Sequence, residues 1–389
     1  MTYEESAETR MLRETVRRFV DKEMPRELAR ECDKNATFPR DVYDKLCRLG
    51  VTGLTVPEEH GGTGVDVLSA IVVIEELSRR GTFLSGPYIH CAFYGSMNIG
   101  EHGSERQKNE LLPRLARGEL FFAYALSEPD VGGDLASAQV SGVVDRGQGT
   151  MTISGTKRWC TGARFAHYLY TLVRSGPPDA RYHNLSLVLV PSDADGISIT
   201  DIDHMGMRYT ETTDVAFDDV VVPLEDVVGG PDAVDQGWPM LVGRALDVEK
   251  LEVSAVALGI AAAAVADAWE YAQEREQFGR KISGHQAVRH TLVDVRTKLE
   301  ACRHMLYHAA ALATAGRDCS VESSMAKLFV AETAMEIVLA CQGVMGAYGY
   351  AREYDMERYV RDIVAFPMVG GSSNMQRNNL ANRLGLASR

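Results

Sequence analysis

Between Phe121 and Pro223 the chain changes its apolar period. The runs FFAYAL, TMTISG, HYLYTLV, NLSLVLV, ISITDI and DVAFDDVVVP are short, rich in β-branched and aromatic residues, and separated by turn formers such as Asp145-Arg-Gly and Asp193-Ala-Asp-Gly. No helix-length segment lies between them, which predicts a compact β barrel or sandwich rather than a parallel sheet wound with helices. On both sides of this block apolar residues return at helical spacing. Leu12, Val16, Phe19 and Val20 share a stripe, and the Val72 to Leu77 and Gln107 to Leu115 regions repeat the character. Val288, Leu292, Val295, Leu299, Cys302, Leu306 and Ala309 alternate by four and three residues, the seam of a long bundle helix. The expected fold is mainly α with a central β domain: a helical domain over 1–120, a β domain over 121–232 and a helical bundle over 233–389.

Charge and composition narrow the function. A net charge of −13 over 389 residues argues against bulk attraction to nucleic acid or anionic membrane. Seven scattered cysteines without a C-x-x-C suit reduced thiols in a cytoplasmic compartment. The start, MTYEESAETRMLRETVRRFV, carries acids where a secretory signal is basic and reads as an amphipathic helix, and no run approaches the roughly 20 apolar residues of a membrane span.

Few residues announce chemistry on their own. The Gly-Gly-Thr-Gly after His60 lacks the Lys-Ser/Thr of a phosphate loop and reads as a turn. His304 and His308 share a helix face but have no carboxylate to complete a metal set, so no metal is expected, and there is no G-x-S-x-G elbow. More suggestive are YALSEPDVGGDL, where Ser127 follows a strand and opens a Pro-Gly-Gly loop, and GTKRWCTGA, where Trp159 and Thr161 are two apart. The segment reads as strand, so both point to one face, an aromatic plane beside a hydroxyl.

These stretches resemble the acyl-CoA dehydrogenase flavoenzymes, together with FPRDVYDKLCRLGVTGLTVPEEHGG, SERQKNELLPRLARGEL, GMRYTETTDVAFDDVVVP, REQFGRKISGHQAV, QGVMGAYGY and ERYVRD, in the family's order and at about its spacing. The resemblance implies an N-terminal helical domain, a middle β barrel or sandwich and a C-terminal four-helix bundle, usually a homotetramer, with FAD between the β domain and the bundle. By position it implies that Ser127 and Thr161 hydrogen-bond the isoalloxazine and Trp159 packs on it. Arg275 and Phe278 would meet the pyrophosphate and adenine end from a neighbouring subunit, with Gln286, Gln342, Gly346 and Ser372 around the cofactor. An arginine for a pyrophosphate and glycine for close approach agree with that assignment. The implied partners are an acyl-CoA or acyl-carrier-protein thioester and an electron-transferring flavoprotein.

The family reaction removes an α proton as a β hydride passes to the flavin, which requires a carboxylate and donors to the developing enolate oxygen. The usual base precedes a small residue and Thr/Ser-Ser; here that position is Gly370, which keeps the backbone N–H and lacks the carboxylate. The segment GRALDVEKLEVSAVALG resembles the helix from which isovaleryl-type and long-chain branches, or a carnitine-pathway-like one, project their base, and Glu249 occupies that position. On a helix it shares a stripe with Leu246, Val253 and Val256, where desolvation raises a carboxyl's pKa, while Glu252 is rotated away. The contrary reading is a solvated carboxylate paired with Lys250, Lys281 or an arginine. Lys250 replaces the arginine usual after the base and Gly133 a serine that helps bind phosphate or substrate, so both are expected at the substrate; Met345 interrupts the usual Gly-Gly. His90 and Tyr94 fall near the acyl tunnel. The expected activity is FAD-dependent dehydrogenation of an acyl-CoA to the trans-2-enoyl-CoA. An oxidase or flavin monooxygenase, or a half-site subunit of a mixed tetramer, are the other outcomes these residues allow.

Overall fold

A computed structural model describes residues 5–208 and 211–386. The chain opens with α1 (Ala7–Glu23), α2 (Arg26–Asn35), α3 (Arg40–Cys47), α4 (Val67–Leu77) and α5 (Thr82–Ile89). The last of these continues through a π-helical stretch, His90–Met97, into α6 (Asn98–His102), and α7 (Glu105–Ala116) follows. Ser104 and Gln107 close a reciprocal capping box at the start of α7. The Gln107 amide also donates to the Glu225 and Val227 carbonyls at 2.9 Å each, tying this helix to the β domain.

The strands are β1 (Phe122–Ala125), β2 (Ser141–Asp145), β3 (Thr150–Lys157), β4 (Tyr168–Arg174), β5 (Leu185–Pro191), β6 (Ile197–Asp201) and β7 (Thr213–Pro223). They form one curled sheet in the order β1-β4-β2-β3-β7-β6, with β5 antiparallel to β4. A single pair, Ser141 with Arg174, joins β2 to β4 and so connects the two halves. The sequence reading missed β2: its SGVVD buries only one residue fully, which is too little alternation to notice.

Helices then resume as α8 (Gly237–Val242), α9 (Arg244–Glu274), α10 (Gln286–Thr314), α11 (Ser320–Met345), α12 (Met356–Ile363) and α13 (Ser373–Arg383). The two helical regions share a continuous core: Val16, Val20, Ile71 and Ile74 pack in one cluster with Leu258, Ala261, Leu299, Leu306, Val330 and Ile337. Gly259 makes this approach feasible, because a Cβ there would lie 2.3 Å from the Glu75 carbonyl oxygen on α4. The β domain keeps a separate core of Met151, Ile153, Val188, Val190, Val215 and Val220.

One expectation needs correction. Two helical segments, Gly237–Glu274 and Ser320–Tyr350, do contain stretches long and apolar enough to cross a membrane. They are apolar because they form the bundle: the stretch in the first is 83% buried inside the protein, that in the second 44%. All seven cysteines are unpaired.

The β domain docks on the bundle through the loop before β7. A Cβ on Gly206 would lie 2.2 Å from the Arg361 carbonyl oxygen of α12, and the Met207 N–H donates to the buried Asp362 carboxylate at 2.5 Å. Tyr209 and Thr210 of the GMRYTETTDV motif lie outside the described residues.

Candidate active site

Glu249 and Glu252 lie three residues apart near the start of α9 and line a narrow pocket with Phe93, Met97, Asn98, Tyr124, Ala245 and Val248. The π-helical stretch supplies Phe93 and Met97, and β1 supplies Tyr124. Such widened turns recur at functional sites because they re-aim side chains. Asn98 donates to the Tyr94 carbonyl at 3.0 Å and to the Tyr124 hydroxyl at 2.7 Å, while the Tyr94 and Tyr124 rings stack at 3.7 Å.

Burial pushes the Glu249 carboxyl up to about 7, against the opposing pull of Lys250 and Lys327. No ion pair holds Glu249 among the described residues and its side chain is only partly exposed, so the paired alternative is not what the structure contains. Lys250 is turned away: its ammonium donates to Asp247 at 2.7 Å and to the Ser324 hydroxyl at 3.1 Å, between α9 and α11. The expectation that it meets substrate is therefore corrected, since its donors are engaged inside the bundle.

Lys327, on α11, was not singled out by sequence. It is fully buried, donates to the Phe366 carbonyl at 2.9 Å, and burial pushes its ammonium down to about 8 although Glu249 opposes the shift. It thereby fastens the segment that leads to Gly370. Gly370 has φ +61°, and a Cβ there would sit 2.9 Å from Val253 Cγ2, one turn after Glu249 on α9. Its N–H has no partner among the described residues. A side chain at 370 would be strained at that φ and would crowd the Val253 side chain on α9. Gly370→Ala is expected to cost about 1–3 kcal/mol, from the left-handed backbone and the Val253 contact. Chemical denaturation measures this; an unchanged midpoint would contradict it.

Sequence placed Glu252 off this face, and here the structure disagrees. Glu252 is 1% exposed, lines the same pocket, and its Oε2 has no hydrogen-bond partner among the described residues. Burial, reinforced by Glu249, pushes its carboxyl well above the usual range.

A second group of residues gathers beside this pocket. Strand β3 ends at Lys157, so Trp159 and Thr161 lie beyond it in the following loop and not on a strand; Trp159 adopts φ +66° and is 55% exposed. The Arg158 guanidinium sits 4.7 Å from that ring, and the Arg158 N–H donates to the Ser127 carbonyl at 2.9 Å. The Thr161 hydroxyl pairs with that of Thr212 at 3.1 Å. His90 is buried against this turn: a Cβ on Gly162 would lie 2.5 Å from its Cε1, and its ring is 5.1 Å from that of Tyr94. The loop after Ser127 is pinned by Glu128, which accepts from the Gln139 and Val140 N–H groups and from Lys157 at 2.8 Å. It reaches the bundle, where a Cβ on Gly133 would be 3.4 Å from Met375 Sδ, and Ser372 caps the same helix, α13. An exposed aromatic plane flanked by two hydroxyl-bearing turns at this seam fits a planar heteroaromatic ring.

The remaining expected residues stand at the far end of α9. Arg275 caps it, with its guanidinium 5.4 Å from the Tyr348 ring. Phe278 projects 94% exposed from the hairpin that follows, and Gln286 opens α10 exposed. Gln342 donates to the Gly349 carbonyl at 3.2 Å, and Gly346 ends α11 at φ +60°. At about 1.5 Å per residue, α9 sets Arg275 about 39 Å from Glu249. One chain does not bring the two groups together.

The acyl-CoA dehydrogenase N-terminal, middle and C-terminal domain families match residues 6–119, 123–220 and 235–385 in succession. The chain belongs to the acyl-CoA dehydrogenase family. It is 34% identical over 372 residues to an acyl-CoA dehydrogenase of Bacillus subtilis, covering 94% of this chain and 95% of that one. It is also 31% identical over 381 residues to the caffeyl-CoA reductase–Etf complex subunit CarC of Acetobacterium woodii, covering 96% and 97%. Its fold matches glutaryl-coenzyme A dehydrogenase, solved as a glutaryl-CoA complex, with a TM-score of 0.93 and 29% identity over 100% and 98% of the two chains. This acyl-CoA dehydrogenase homologue is accordingly an FAD-dependent oxidoreductase acting on CH–CH bonds, in a family of flavoproteins.

Proposed function

We propose that the protein oxidises an acyl-CoA thioester to the trans-2-enoyl thioester, with Glu249 as the base that takes the α proton. The observation that carries this is an unpaired carboxyl, raised to about 7, one turn from the Val253 contact that places Gly370 and its unpartnered N–H. A base with that pKa is half-ionised at neutral pH and can both accept and return a proton. The Gly370 N–H suits a thioester oxygen that gains charge as the α proton leaves. Packing of Val253 against Gly370 holds donor and base in register, and Lys327 anchors the donor's loop.

FAD would be held by the Ser127 and Thr161 hydroxyls and the Trp159 plane on one copy of the chain, with Ser372 close by. Arg275, Phe278, Gln286, Gln342 and Gly346 would come from another, because α9 separates the two groups. That division supports a homotetramer or at least a paired assembly. When bound, the flavin supplies the acceptor for the hydride leaving the β carbon. His90 and Tyr94 back the pocket wall, and Gly133 leaves room beside Met375 at the seam with α13. The Etf complex in the name of the Acetobacterium relative supports an electron-transferring flavoprotein as redox partner, and the unpaired cysteines suit a cytoplasmic setting.

Anaerobic titration of the purified protein with straight, branched and aromatic acyl-CoAs tests the reading. Loss of the oxidised flavin absorbance with at least one thioester is expected. A protein that purifies with flavin and is bleached by none of them would overturn the dehydrogenase reading, and one that purifies without flavin would favour a half-site subunit.

A further inference from the structure

The acyl pocket is more polar than an alkyl chain requires. Of its eight lining residues, Asn98, Tyr124, Glu249 and Glu252 carry hydrogen-bonding groups. Glu249 is accounted for as the base. Glu252 is not: it is 1% exposed, and Oε2 finds no partner among the described residues. A buried carboxyl with an unmet oxygen destabilises a fold relative to an apolar residue of the same size, so the position calls for a hydrogen-bonding partner that the protein does not supply.

The neighbours define the chemistry of that atom. Glu249 lies three residues earlier on the same helix and opposes a second negative charge, so Glu252 keeps its proton and offers an O–H. Asn98 donates to the Tyr124 oxygen at 2.7 Å, which leaves the Tyr124 O–H free to point elsewhere as a second donor. The pocket then offers two O–H donors. No arginine, lysine or histidine lines the pocket among the described residues, so a carboxylate would enter beside Glu249 without a counter-charge. The acceptor is therefore a neutral oxygen. The helical rise from residue 249 to 252 is about 4.5 Å, which puts that oxygen a few bonds beyond the α carbon.

We propose that Glu252 is a specificity-determining residue that donates a hydrogen bond to a neutral oxygen on the γ-to-ε part of the acyl chain. The preferred substrates are then hydroxy- or oxo-acyl thioesters in place of plain alkyl or dicarboxylic ones. The proposal rests on the acyl-thioester reading above. It adds a chemical class that the geometry of Glu249 alone does not specify.

The test compares the flavin-loaded wild type with Glu252→Gln and Glu252→Leu, using hexanoyl-CoA, 5-hydroxyhexanoyl-CoA and adipyl-CoA. Anaerobic flavin reduction is read for each pair. Calorimetric binding of the matching 2-enoyl-CoAs is measured alongside. The wild type is expected to favour the hydroxy thioester over hexanoyl-CoA by at least about tenfold, since a site built around a donor rejects analogues lacking the acceptor, and adipyl-CoA to be the poorest, since its carboxylate would enter beside Glu249 without a counter-charge. Glu252→Leu should remove that preference and improve hexanoyl-CoA, while Glu252→Gln, which keeps a donor, should retain most of it. A wild type that favours hexanoyl-CoA, or a Leu variant with the hydroxy preference intact, overturns the assignment. Should no thioester reduce the flavin, the dehydrogenase reading fails by itself, and the ratio of enoyl-CoA affinities still decides for or against Glu252.

Discussion

Glu249→Gln is expected to bind acyl-CoA and keep the flavin spectrum while reducing the flavin about 10²–10⁴-fold more slowly, the usual share of a general base. Glutamine preserves the shape and lines the pocket as before, so the loss isolates proton abstraction from packing. The pH dependence provides a second signature. Burial raises the wild-type carboxyl to about 7, and only the ionised form accepts the α proton. The rate should therefore climb about tenfold per pH unit below 7 and level off above it. Lys327 lowers the Glu249 pKa, so removing its charge in Lys327→Met moves the rising limb to higher pH. In Glu249→Gln the limb should vanish. Rapid-mixing flavin reduction across pH reads both effects. A Gln variant as fast as the wild type would show that the base lies elsewhere, and a slow variant that keeps the limb would point to Glu252 as the titrating group.

How much of this was legible beforehand depended on whether a feature is local. The β block was visible because alternating runs and turn formers are properties of neighbouring residues. Strand β2 escaped because SGVVD is short and half solvated, and its place is fixed by pairing with β3 across the whole of Ser141–Asp145. The place of Glu249 on a pocket-lining face of α9 was readable from its helical stripe. Glu252 was not, because a stripe drawn on an isolated helix assumes one apolar side, while the start of α9 is covered by the bundle, β1 and the π-helical stretch. Lys250 misled for a related reason: whether a lysine beside a site serves substrate or α11 depends on Asp247 and Ser324, one of which is 74 residues away. Trp159 was expected on a strand, yet its positive φ belongs to a turn whose glycine approaches His90 of the other domain. Nothing in GTKRWCTGA encodes that contact.

Glu75→Ala is expected to cost about 3–5 kcal/mol of stability, the largest loss foreseen for a residue away from the pocket. Glu75 is 1% exposed on α4 and accepts from Arg303 of α10 at 2.7 and 3.1 Å, from Arg13 of α1 at 3.3 Å, and from the Tyr307 hydroxyl. Glu76 shares Arg13 at 2.7 Å and adds Arg17 at 2.8 Å. The alanine variant leaves two arginines beside a vacated site, which is costlier than lacking the network altogether. Glu75→Gln, which still accepts, should lose less, and Glu75→Met with Arg303→Met should recover part of the loss if unpaired charge is the cause. Burial alone would raise the Glu75 pKa, but Arg303 and Arg13 outweigh it and hold the carboxyl at about 2. The folded-state value is therefore below the unfolded one, so the pair's contribution is complete above about 4.5 and is lost as pH falls toward 2. Urea unfolding should show the gap between wild type and alanine variant at pH 7 and a smaller gap at pH 3. A gap that widens with acid would reverse the sign of this coupling. Because α4 packs on α9 through Gly259, a loosened network should also let α9 shift. The variant's remaining activity would then fall with the register of Glu249 and Gly370, before the protein unfolds.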